Sequence, residues 1–90
     1  SFYTKLSENT YLFDGKTHLN DFLKVLSLDE DYLDEAKGEA ETLAGLMLEI
    51  RKDFLRRGEM LAYRRLTLRV DAMDGRRIDK IRVTVADSED

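Results

Sequence analysis

The chain has 90 residues, 42% of them apolar and 38% charged, which sets the scale of one small globular domain with a heavily charged surface. Fifteen Lys and Arg against 19 Asp and Glu leave a net charge of −4, which speaks against general affinity for nucleic acid. With no Cys and a single His, His18, the sequence excludes disulfides, thiolate nucleophiles, thiolate zinc sites and His-paired metal motifs.

The opening run Phe2-Tyr3-Thr4-Lys5-Leu6 is rich in β-formers, Ser7-Glu8-Asn9 is turn material, and Thr10-Tyr11-Leu12-Phe13 is a second short run ending at Asp14-Gly15. Two such runs around a polar turn predict a hairpin, or an extended lead followed by one strand formed by the second run. From Thr17 the period changes: Leu19, Phe22, Leu23 and Leu26 fall at i, i+3, i+4 and i+7, one stripe of a helix, with Thr17 as its expected N-cap. Ser27 to Glu41 carries seven acidic residues and one Lys, without a sustained apolar period, and predicts a loop with a helical turn around Tyr32 to Ala36. Leu43, Leu46, Met47 and Ile50 repeat the helical spacing from Thr42 onward. Gly45 inside that helix costs about 1 kcal/mol relative to Ala, so a close approach by a neighbouring strand or helix is expected there.

After Phe54 the chain turns at Arg56-Arg57-Gly58 and becomes strand-like. Glu59 to Tyr63 predicts a short strand and Arg64-Arg65 a tight connection. Leu66, Leu68, Val70 and Ala72 alternate with Thr67, Arg69, Asp71 and Met73, the pattern of a strand with one buried face. Asp74-Gly75 predicts a type I′ hairpin turn. Ile81, Val83 and Val85 form the buried face of the return strand, and because Ile78 has the opposite parity, a β-bulge or a late strand start is expected near Asp79. The tail from Ala86 is polar. The fold class is therefore α+β: a two-layer domain in which two helices cover one face of an antiparallel sheet ending in a three-stranded meander.

The charge is divided along the chain. Residues 1 to 50 hold 4 basic and 11 acidic residues, whereas residues 51 to 86 hold 11 basic and 5 acidic. Charge runs are ordinarily solvated faces; their segregation here suggests docking on a partner or a second copy with complementary potential.

Catalytic chemistry finds little support. His18 opens a helix, where an exposed or capping role is expected, and no Ser or Thr with a positioned carboxylate accompanies it. Asp29, Glu30, Asp31, Asp34 and Glu35 offer oxygen atoms, but their spacing is not that of an EF-hand loop. The five glycines are too scattered for a P-loop or a dinucleotide fingerprint, so no cofactor and no metal site is expected. The basic pairs Arg56-Arg57, Arg64-Arg65 and Arg76-Arg77 sit in predicted turns or strand starts, where guanidinium forks reach carboxylate or phosphate. Arg64, Arg65, Arg76 and Arg77 are the candidate surface for an anionic partner or ligand; solubility and protection of sheet edges is their ordinary role.

Three segments carry a resemblance: YLFDGKTHLNDF (residues 11 to 22), ETLAGLMLEI (41 to 50) and RRGEMLAYRRLTLRVDAMDGRRIDKIRVTV (56 to 85). In order, spacing and Asp-Gly turns this stretch of about residues 10 to 85 resembles the CorC/HlyC transporter-associated domain. The acidic entry to the second helix is most similar to gliding-motility-associated and hemolysin-like members. Members commonly carry a Pro before the Gly that precedes the meander; here Leu55 occupies that region, which bears on the rigidity of that loop. The resemblance implies a fold like the FAD-binding/transporter-associated group, without an FAD fingerprint or a catalytic motif to transfer. It implies a non-enzymatic accessory or regulatory domain of a longer protein, following transmembrane and CBS domains. That protein would be a bacterial magnesium and cobalt efflux or hemolysin-like transporter, with this domain on the cytoplasmic side of the inner membrane. Its expected partners are those upstream domains or a second copy, and Ser1 in place of Met reads as the edge of a fragment whose residues 1–90 form one domain. No apolar run approaches the roughly 18 residues of a membrane span, so this segment is expected not to insert. A module sensing an anionic nucleotide or metabolite through the four arginines is the rival reading.

Overall fold

A computed structural model describes residues 1–89. The elements in chain order are β1 (Tyr3–Ser7), β2 (Thr10–Asp14), α1 (Leu19–Leu26), α2 (Asp34–Lys37), α3 (Leu43–Arg51), β3 (Met60–Tyr63), β4 (Leu66–Asp74) and β5 (Arg77–Val85). All five strands join one antiparallel sheet in the order β1-β2-β5-β4-β3, so the first hairpin is stitched to the meander by the pairing of β2 with β5. The two-layer α+β arrangement expected from the sequence is the one observed, with α2 as a third, short helix.

Alternation decides which face is covered. Phe13, Ile81, Val83, Leu66, Leu68 and Val70 point to one side and pack with Phe22, Leu23, Leu43, Leu46 and Met47 in a single buried cluster. Each such side chain contributes roughly 1.5–3 kcal/mol of gross burial free energy. Their alternates Leu12, Thr67, Arg69, Arg82 and Thr84 are only half-buried on the other side, which no helix covers among the described residues. The acidic segment adds two side chains that its composition concealed: Tyr32 and Leu33 are both buried in the core, immediately before α2. Leu55, in the loop before the meander, is also buried.

The two main helices start side by side. His18 and Thr42 form an isolated antiparallel bridge, and the Leu19 N–H donates to the Glu41 carbonyl at 3.0 Å. His18, not Thr17, is therefore the N-cap of α1, and it caps without a side-chain hydrogen bond. Thr17 is buried and its hydroxyl instead donates to the Asp14 carbonyl at 2.7 Å, closing the β2–α1 turn. Thr42 is a true side-chain cap, its Oγ1 accepting from the Gly45 N–H at 3.1 Å.

Three details of the meander differ from the sequence pattern. The register of β4 against β5 slips on both sides of Ala72, because Asp71 on β4 and Asp79 on β5 are each extra residues. At Asp79 the bulge, rather than a late strand start, reconciles Ile78 with Ile81, both buried, since β5 already begins at Arg77. The one at Asp71 was not legible; it flips the parity of β4, so Met73 rather than Ala72 packs against the core. Asp74 pairs with Arg77, which makes Gly75-Arg76 the turn residues. Only Gly75 of these two has positive φ (62°), so the turn is not type I′, which requires positive φ at both positions.

Candidate functional site

The expected close approach at a glycine occurs at Gly15 rather than at Gly45. A Cβ on Gly15 would collide with the backbone carbonyl of Ile78, whereas the nearest neighbours of one on Gly45 are the Thr42 hydroxyl at 3.2 Å and Ala40 Cβ at 3.4 Å. The Gly15 N–H donates to the Asp79 carbonyl at 2.8 Å, so the carbonyl at the bulge of β5 anchors the β2–α1 turn. That turn, the start of α3 and the β4–β5 hairpin enclose a cleft of about 540 Å³. Its wall is apolar, formed by Ala44, Leu48 and Ile78; Lys16, Arg76 and Arg77 supply cations, and Asp74 and Asp79 carboxylates. The first backbone N–H groups of α3 are already spent, donating to the carbonyls of Thr17 and Gly15 and to the Thr42 hydroxyl. The start of α3 therefore offers this cleft no free backbone donors, and its side chains carry the charge.

The four candidate arginines separate into two sites. Arg64-Arg65 and Arg76-Arg77 lie at opposite ends of the nine-residue β4, roughly 25 Å apart, beyond the reach of one small ligand. Arg64 and Arg65 have partners within the fold. Arg64, with φ 52° in the two-residue turn, stacks its guanidinium 4.0 Å from the centroid of Tyr32, donates to the Tyr32 carbonyl at 3.2 Å and pairs with Glu89 at 3.0 Å. The Arg65 N–H donates to the Tyr32 hydroxyl at 2.9 Å and its Nε to the Ala86 carbonyl at 2.8 Å. This end of the sheet is a structural clamp on the acidic segment. Arg76 and Arg77, by contrast, have no ion pair or side-chain hydrogen bond among the described residues. Lys16 was missed in the sequence because nothing local marks it: only the tertiary contact of Gly15 with β5 brings it beside the hairpin.

The uncovered sheet face holds a second charged group. Arg69 and Arg82 are directly opposed in the register of β4 and β5, and Asp71 accepts from both, at 2.8 Å from Arg69 Nη2 and 3.0 Å from Arg82 Nη2. The Arg82 hydrogen bond, followed by that from Arg69, holds the Asp71 carboxyl below the usual carboxylate range against the opposing effect of burial. Next to it Lys80 is ion-paired with Asp14, whose hydrogen bond raises the lysine above its ordinary value. Along this face the charges are largely matched within the fold.

His18 lines a separate recess with Lys37 and Glu41; its bridge to Thr42 is through the backbone, and among the described residues no side-chain hydrogen bond joins it to a Ser or Thr. Among the described residues no group of three or more His, Asp or Glu side chains is placed to hold a metal ion, and no helix is long and apolar enough to cross a membrane.

Known proteins share this architecture. The transporter associated domain of a CBS domain protein from Porphyromonas gingivalis is 34% identical, with a TM-score of 0.90 over 97% of this chain and all of that one. The transporter associated domain of a Xylella fastidiosa hemolysin, solved in complex with Mg²⁺ and Mn²⁺, is 21% identical with a TM-score of 0.77, covers 97% of this chain and all of its own, and shares the fold. The polyamine export protein of Escherichia coli K12 is 32% identical over 91% of this chain, which spans only 18% of that protein's length. The family profile described as "Transporter associated domain", CorC_HlyC, matches residues 4–87, and the chain belongs to that family.

Proposed function

We propose that this domain is a non-catalytic accessory module of a longer, CBS-containing membrane transporter, held on the cytoplasmic side of the bacterial inner membrane. There it packs against its CBS and transmembrane neighbours and biases the transport cycle. The observation that carries the reading is family membership across nearly the whole chain, joined to a close match with the corresponding domain of a CBS domain protein. The segregated charge supports a docking role, since complementary potentials orient an encounter and exclude wrong partners. An accessory domain shifts a transport equilibrium only through contacts that differ between the transporter's states.

The cargo we infer is cationic. A similar domain from Neisseria meningitidis is described as the associated region of a "putative Mg²⁺ and Co²⁺ transporter", and the E. coli relative is a polyamine export protein; both support a cationic cargo. Deleting this domain from the parent protein and measuring tolerance to magnesium, cobalt and polyamines tests the reading: altered tolerance to one of them is expected, and unchanged tolerance to all three contradicts it.

A further inference from the structure

We propose that the cleft between the β2–α1 turn, α3 and the β4–β5 hairpin binds a phosphorylated small molecule of nucleotide size. Among the described residues, five basic side chains have no ion pair, hydrogen bond or aromatic contact: Lys16, Lys24, Arg56, Arg76 and Arg77. Three of the five line this one cleft although they come from chain segments 60 residues apart. Guanidinium forks match phosphate oxygens bidentately, and a lysine supplies a third, adjustable charge.

The rest of the cleft suits the remainder of such a molecule. Its volume of about 540 Å³ lies inside the range of roughly 300–1,000 Å³ typical of small-ligand sites. Leu48 is 41% exposed on the cleft wall, beside Ile78, and offers an apolar surface for a flat ring. Asp74 and Asp79 would repel a bare anion but accept hydrogen bonds from sugar hydroxyls or an exocyclic amine. Phosphate, hydroxyl donors and an apolar ring together describe a nucleotide better than inorganic phosphate or a lipid headgroup. Because the backbone N–H groups at the start of α3 are occupied, the three cations carry the phosphate contact.

Amide-resolved NMR titration of the 90-residue chain with AMP, ADP, inorganic phosphate and phosphatidylglycerol vesicles tests this. The expected result is saturable shifts with AMP or ADP, confined to the neighbourhood of Gly15, Lys16, Ala44, Leu48 and Arg76. A Lys16→Ala/Arg76→Ala/Arg77→Ala variant should keep a native amide spectrum and bind at least about tenfold more weakly. Arg64→Ala/Arg65→Ala should bind as the parent does. The proposal is overturned by absence of saturable shifts with either nucleotide, by equal binding in the triple variant, or by a response to vesicles or inorganic phosphate alone. None of these outcomes depends on transport by the longer protein, so the accessory-domain reading stands or falls separately.

Discussion

The Gly15 N–H and the Asp79 carbonyl oxygen lie 2.8 Å apart, and this single hydrogen bond joins the β2–α1 turn to the bulge of the last strand. Gly15 is buried, and its lack of a side chain is what permits the contact, because a Cβ there would meet the Ile78 carbonyl. Gly15→Ala is expected to lower unfolding free energy by about 1–3 kcal/mol, the usual cost of overpacking against backbone. Urea denaturation measures it; a variant as stable as the parent would show that the turn and the bulge are not mutually constrained.

Thr42 caps α3 through its hydroxyl, and Thr17, the cap expected for α1, does not cap. Thr42→Ala should therefore cost about 1 kcal/mol, and Thr42→Ser, which keeps the acceptor, much less. Equal losses in the two variants would assign the effect to the methyl group instead.

Tyr32 ties the acidic segment to the β3–β4 turn. Removing its hydroxyl in Tyr32→Phe leaves the Arg65 N–H without its partner while the ring still stacks on Arg64. A loss of about 1–2 kcal/mol is expected, with faster amide exchange at Arg65. Unchanged exchange there would mean that the hydroxyl is dispensable to the clamp.

Asp71 separates two arginines that the register places directly opposite one another. Its carboxyl is held below the ordinary value, so its contribution is complete above the unfolded carboxylate pKa of about 3.9 and is lost as pH falls through the lower folded value. Asp71→Asn should be less stable at neutral pH by about 1 kcal/mol, the groups being partly solvated, and the two proteins should converge under acid. Parallel stability curves down to low pH would contradict the pairing.

Long apolar periods made the helices and the meander legible. Leu19, Phe22, Leu23 and Leu43, Leu46, Met47 mark their buried faces without tertiary information. Tyr32 and Leu33 were concealed because two adjacent apolar residues among carboxylates define no period. The bulge at Asp79 announced itself through the parity of Ile78, but the one at Asp71 left Leu66, Leu68, Val70 and Ala72 in unbroken alternation. At the candidate site, Arg76 and Arg77 stood out as a pair. Their separation from Arg64 and Arg65, and their union with Lys16, depend on the β4–β5 hairpin reaching the β2–α1 turn, a contact between distant segments that no local pattern encodes.

As proposed, this domain biases the cycle of its parent transporter. Cation efflux by the parent protein reconstituted in vesicles, with and without this domain and over a range of cargo concentrations, tests it most directly. Transport is expected to persist after deletion with an altered dependence on cargo concentration. Superimposable curves for the intact and truncated proteins would contradict it.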